Sequence, residues 1–245
     1  MGRQGAHLRT RTTAGEWRSV PQPVASFDSM LTEFVDPAGA PEMIALRERI
    51  RSWRFYDHFR TDAGAPARQT WIGTHTPVLA DDGADVAAAL QTIVEIGEGD
   101  ALEASIDDAF PGARVAVDNL GRRGRFEVTM QQPGLLRPLG AAELSDGTLR
   151  YLLLATALLT PRQPALLVLN EPKTSLHPDL LPALGRLIAR ASAHSQVIVV
   201  SHAARLIATL EREAGSLSLV LDKRLGETRL DEDGPERPAW KWPSR

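Results

Sequence analysis

Two uninterrupted apolar runs, residues 165–169 and 197–200, bracket a segment in which Leu180, Leu181, Leu184, Leu187, Ile188 and Ala191 recur at helical spacing. Strand, helix, strand at this separation is a βαβ unit, whose helical crossover returns the second strand parallel to the first. Runs without polar alternation are the pattern of parallel strands covered on both faces. This unit commits the chain to an α/β architecture with a mostly parallel sheet. Ligands at such sheets bind beyond the carboxyl ends of the strands. Asn170-Glu171 and Ser201-His202 fall at those two ends.

The first 140 residues have a different texture, heavily punctuated by glycine and proline. Short polar and basic segments around Ala14-Gly15 predict a hairpin over 8–20, which Pro21 and Pro23 end. Pro41 starts a helix with Met43, Leu46, Ile50 and Trp53 on one apolar face. Arg47, Arg49, Arg51 and Arg54 occupy its other faces as a solvated basic surface. Residues 85–96 and 100–110 read as two short helices separated by Gly97 and Gly99, forming a small helical lobe. Strands over 114–118 and 125–131 follow, joined by the arginine-rich turn Gly121-Arg122-Arg123-Gly124. The expected organisation is a hairpin and connecting helix over 1–74, a helical lobe and β-hairpin over 75–139, an α/β half over 140–230, and a tail over 231–245.

Composition removes several function classes. With 245 residues, 43% of them hydrophobic, the chain is long enough to bury a core as one large domain or two lobes. The formal net charge of -3 provides no bulk positive field for nonspecific nucleic-acid or membrane binding. The absence of cysteine excludes disulfides, thiolate metal sites and cysteine nucleophiles together. Arg3, Arg9, Arg11, Glu16 and Arg18 interrupt any signal-peptide core, and no run approaches the ~20 apolar residues of a membrane helix. A cytoplasmic location with no membrane association is the expectation.

Chemistry concentrates after residue 140. Ser145 precedes the apolar stretch 149–159 and suits a helix cap, with Gly147 in the first turn; the free amides of such a terminus form an anion site. A glutamate fixed at a strand end, as Glu171 is, can orient and deprotonate water for attack on a γ-phosphate, while the preceding side chain reaches a magnesium shell. An imidazole ending the next strand, as His202 does, can hydrogen-bond the same phosphate. Each residue alone has a plainer use: Glu171 as a helix-entry acid, His177 as a loop residue, His202 as a satisfied strand-end histidine.

Taken in order, LSDGT (144–148), LLVLNEP (166–172), TSLHPD (174–179) and VIVVSH (197–202) resemble the signature, Walker B, D-loop and switch-histidine elements of ABC-type ATPase heads. The LHP form of the D-loop is similar to that of RecF-like and SMC-like ATPases. WRFYDHFRTDAGAPAR (53–68) and LADDGADVAAAL (79–90) also look like the linker and helical lobe of RecF-like bacterial ATPases. The resemblance implies a partial ABC-ATPase head of the P-loop NTPase class, with ATP and Mg2+ as cofactors. It implies Glu171 as catalytic base and His202 as γ-phosphate sensor. Ser145, Asp146, Gly147 and Thr148 would contact ATP across a head dimer, with Ser175 and Asp179 at its seam. The family's usual setting is DNA repair or chromosome maintenance.

Three departures qualify what is implied. Asn170 stands where the family carries an aspartate, keeping an oxygen acceptor for the magnesium shell but losing charge. Lys173 stands where the family usually has an acidic residue. No glycine directly precedes any of the three lysines, Lys173, Lys223 and Lys241, so the chain has no GxxxxGK phosphate loop. The expectation is a head that is inactive until an N-terminal P-loop segment is supplied, and a homodimer or oligomer, because strands missing a neighbour expose an apolar edge. Trp240, Lys241 and Trp242 in the tail are a candidate cover for it. The competing reading is a nonenzymatic dimerisation or interaction module on a degenerate ATPase fold.

Overall fold

In the computed structural model, residues 1–11, 14–119, 121, 124–224 and 226–230 are described. Strands β1 (Gly2–Gln4), β2 (His7–Arg11) and β3 (Trp17–Ser19) form an antiparallel sheet. Helices α1 (Met30–Glu33) and α2 (Pro41–Arg51) follow, then β4 (Arg54–Tyr56) and β5 (Trp71–Ile72). Next come α3 (Val86–Ile96), α4 (Gly99–Ala109), β6 (Arg114–Asn119), β7 (Arg125–Gln131) and β8 (Leu139–Gly140). The chain continues through α5 (Asp146–Leu158), β9 (Leu166–Asn170), α6 (Leu181–Ala191), β10 (Gln196–Val200) and α7 (Ala204–Ala214), and ends in β11 (Leu221–Arg224) and β12 (Glu227–Leu230).

The fold is α/β with a parallel sheet at the site end. β10 and β9 pair in parallel with Val200 opposite Asn170, which brings the two strand ends level. The other edge of β9 carries β4, also parallel, with Tyr56 opposite Leu169. The order is therefore β10-β9-β4. β4 gives β9 its second neighbour: three residues give too short a run to register as a strand, yet they complete a ladder. Among the described residues β10 and β4 each pair with β9 alone and form the sheet's two edges.

The expectation of burial on both faces is corrected. Leu167 and Leu169 are fully buried and join the main core, whereas Phe55, Ile198 and Val200 on the opposite face are 44–56% exposed. The reason lies in the register: Phe55, Val168 and Ile198 sit side by side, so all three turn to the face that α5 and α6 leave open. α5 is buried all round from Thr148 to Leu158, as its nearly unbroken apolar sequence requires. Helices α3, α4 and α6 pack around it, and the β5-β7-β6 sheet, with β8 on β7, closes the same core.

A smaller core joins Leu8, Val24, Phe34, Ala40 and Met43 at the N-terminal end. Here α2 departs from expectation in two ways. Leu46 is exposed, because the small N-terminal core reaches only the first turn of the helix. Arg47 is not a free surface cation, since its guanidinium donates to the carbonyls of Leu31, Thr32 and Phe34. Arg122 and Arg123 of the β6–β7 turn, and Trp240, Lys241 and Trp242 of the tail, lie outside the described residues. Among the described residues no helix is long and apolar enough to cross a membrane.

Candidate functional site

The site begins where β9 stops. Glu171 donates its N–H to the Val200 carbonyl at 2.8 Å, extending the ladder by one bond, and then turns into the left-handed region with φ +44°. A non-glycine residue takes that conformation only at a cost of about 1 kcal/mol or more, which surrounding bonds must hold in place. They do: the Glu171 carbonyl accepts from the Thr174 N–H at 3.0 Å and its hydroxyl at 2.9 Å, closing a tight turn. Ser175 adopts a second left-handed backbone, φ +64°.

That turn and the end of β10 bring Glu171 and His202 into contact. Oε1 of Glu171 is 2.9 Å from Nδ1 of His202. Oε2 is buried and makes no hydrogen bond within the protein. Lys173, from the same turn, places Nζ on Nε2 of His202 and 3.8 Å from Oε2 of Glu171. The carboxylate can take a proton from a polar ligand, and the neighbouring ammonium can compensate an anion.

Asp57 follows β4 as Asn170 ends β9, and the Asn170 side-chain amide donates to Oδ1 of Asp57. The parallel pairing of β4 with β9 makes this neighbour, though 113 residues separate the two in sequence. Asp57 also acts on a buried cation. Burial pushes the Arg150 guanidinium of α5 below its ordinary range, and Asp57 partly offsets this. Arg150 Nη1 donates to the Phe59 carbonyl at 2.6 Å.

A second cluster forms where α5 begins. Ser145 caps the helix, its Oγ accepting from the Thr148 N–H at 3.1 Å and lying 2.8 Å from the Thr148 hydroxyl. Asp146 pairs with Arg68 at 2.7 Å. Arg68 is the clamp here: only 7% of its side chain is exposed, and it also donates to the carbonyls of Thr61, Ala141 and Leu144. Upstream, Arg137 beside Glu143 holds that carboxyl down to about 2, with the Gly140 N–H assisting. Ser145, Gly147, Thr148, Ser175, His177 and Asp179 line one open groove of about 670 Å3. A Cβ on Gly147 would lie 2.8 Å from the Ser175 carbonyl oxygen, so in this chain the glycine makes room for the protein's own backbone. At the groove's end, Asp179 pairs with Arg205 at 2.7 Å.

The structure thus sorts the residues singled out in the sequence into two groups. Glu171 and His202 meet at the strand ends, with Asn170 on the adjoining tip. Ser145, Gly147, Thr148, Ser175 and Asp179 gather around the start of α5, in a groove that neither Glu171 nor His202 lines, while Asp146 of the same helix turn is paired with Arg68. The turn 171–177 connects the groups. Asp57, Arg68, Arg150 and Arg205 were not foreseen. Asp57 and Arg68 lie within the 53–68 segment whose pattern stood out, but their contacts are long-range and leave no local spacing to read.

Comparison with known proteins adds a family. The family model described as "AAA domain, putative AbiEii toxin, Type IV TA system" matches residues 11–208. No curated protein matches the chain. Among solved structures, an SMC ATPase described under "ATP-driven dimerization and DNA stimulated activation" is 16% identical with a TM-score of 0.47, covering 58% of this chain and 84% of that one. The SMC head domain from Thermotoga maritima is 15% identical with a TM-score of 0.45, covering 91% of this chain and 66% of that one. The Smc head domain with coiled coil and joint from Pyrococcus yayanosii is 18% identical with a TM-score of 0.44; the match covers 58% of this chain and only 27% of that one.

Proposed function

Because the match spans residues 11–208, the chain belongs to the family described as AAA domain, putative AbiEii toxin, Type IV TA system, and we propose that it is the ATP-binding and ATP-hydrolysing head of a RecF/SMC-like ATPase. The observation that supports this reading most is the 2.9 Å approach of Glu171 Oε1 to His202 Nδ1 at adjacent parallel strand ends. Glu171 is the general base, its carboxylate taking a proton from the attacking water. His202 orients the carboxylate through its Nδ1 contact with Oε1. Ser145, Asp146, Gly147 and Thr148, with Ser175 and Asp179, form a surface offered to ATP held by the opposite head. Their separation from the Glu171 pocket suits a site completed across a dimer. DNA repair or chromosome maintenance is the proposed setting, with DNA as substrate polymer.

The donor set suits magnesium. The Asn170 amide nitrogen holds Oδ1 of Asp57, leaving Oδ2 of Asp57 and the amide oxygen of Asn170 as the hard donors that would hold the ion, and the Asp57 carboxylate supplies the charge that Asn170 lacks. Among the described residues no cluster of three or more His, Asp or Glu could hold a metal unaided, so the remaining ligands would be water and nucleotide phosphate. Bound there, the ion would neutralise charge on the β and γ phosphates.

The test is magnesium-dependent ATP turnover by the 245-residue chain alone and by the chain supplied with a P-loop segment. The chain alone should turn over negligibly. The completed head should hydrolyse ATP, and Glu171→Gln should lower its rate by about 100-fold or more while leaving nucleotide binding intact. Equal rates with and without the substitution would refute the assignment. Persistent failure to bind ATP, in a protein that still dimerises, would favour the nonenzymatic interaction module.

A further inference from the structure

The side-chain cluster at the strand ends contains a cation that the catalytic reading leaves unused. Lys173 is one of only three lysines in the chain, and its Nζ sits on Nε2 of His202. Its stem is three-quarters covered, with side-chain exposure of 26%, and its own carbonyl accepts the Leu176 N–H at 2.9 Å. The ammonium is therefore delivered by the same tight turn that sets Glu171.

Hydrogen-bond inventory decides the state of the imidazole. An ammonium has three donors and no acceptor, so the Nε2 it contacts must present a lone pair. The ring proton is then on Nδ1, which donates to Oε1 of Glu171 at 2.9 Å. In this arrangement Nε2 cannot donate to a phosphate, because it carries no proton and its lone pair is engaged. Exchanging a neutral nitrogen acceptor for an anionic phosphate oxygen adds attraction between opposite charges to a bond whose donor is already ionised, so the lysine is drawn to the anion.

We propose that Lys173 is the phosphate-binding cation of this pocket, held on His202 in the ligand-free protein and handed to a phosphate oxygen when a polyphosphate enters. The transfer frees Nε2 of His202, coupling anion arrival to the state of the histidine. The ligand class is a phosphate oxyanion, from inorganic pyrophosphate to the terminal phosphates of a nucleotide. This rests on reading the strand-end pocket as a phosphate site, but requires neither hydrolysis nor a P-loop.

The experiment is nitrogen-15 NMR of the histidine rings in the full chain, with His202 assigned by His202→Gln, followed by titration with inorganic pyrophosphate. The free protein should show His202 neutral with its proton on Nδ1, and pyrophosphate should shift its ring signals saturably. Lys173→Met should abolish the Nε2 contact shift and weaken the pyrophosphate response at least about tenfold, while Lys173→Arg retains it within about threefold. Thermal unfolding of both variants should match wild type, separating loss of a ligand contact from loss of fold. A ring proton on Nε2 in the free protein would overturn the proposal, as would a Lys173→Met response equal to wild type or the absence of any saturable wild-type response. Failure of the hydrolysis assignment reads out separately, as turnover indifferent to Glu171→Gln with the pyrophosphate response intact.

Discussion

Gly147 offers the sharpest test of how the start of α5 is built. A methyl group there would stand 2.8 Å from the Ser175 carbonyl oxygen, about 0.6 Å inside ordinary contact. The obstacle is backbone in a turn already held left-handed at Ser175, so no side-chain rotation relieves it. Overpacking of this kind costs about 1–3 kcal/mol. Helix propensity returns at most about 1 kcal/mol for Gly→Ala, and less in a first turn whose amides lack intrahelical partners. Gly147→Ala should therefore destabilise the protein by about 0.5–2 kcal/mol, lowering Tm by roughly 1–8 °C for a chain of this size. Thermal and urea unfolding measure it directly. Gly99→Ala is the internal control: it also lies in a first helical turn, but its nearest neighbour atom would be at 3.6 Å, so stability should hold or rise slightly. Gly147→Ala melting at or above wild type, with Gly99→Ala behaving as stated, would refute the claim that the glycine accommodates the Ser175 backbone.

Two further outcomes follow from neighbouring contacts. Arg68→Met should cost about 2–4 kcal/mol in urea denaturation, because the carbonyls of Thr61, Ala141 and Leu144 lose a charged donor in a covered site. Arg68→Lys should recover little, lacking the planar fork; full recovery would contradict the clamp. Burial raises the Asp85 carboxyl above its ordinary 3.8, so the folded chain holds its proton to higher pH than the unfolded chain does. The stability linked to this group is thus present below 3.8 and lost as pH rises through the folded value. Asp85→Asn keeps an acceptor for the Ala80 N–H, and its advantage over wild type should grow with pH across the mildly acid range; a pH-independent difference would exclude this origin.

The βαβ unit was legible from residues alone, because apolar runs and a helical repeat are local patterns that burial imposes directly on sequence. For the same reason Glu171 and His202 could be placed at neighbouring strand ends. The Ser145 cap on α5 was legible too, since a cap bonds three residues ahead. What escaped depends on chain crossings. β4 is three residues long and becomes a strand only because β9 supplies its ladder. Asp57 reaches Asn170, and Arg68 reaches the start of α5, across 113 and 73–78 residues. The open face of the parallel sheet follows from which helices cover it, and the contact of Lys173 with His202 from a left-handed turn that no residue pattern encodes. Local periodicity records which face of an element is apolar; only the assembled layers decide what meets that face, and which charges end up sharing one pocket.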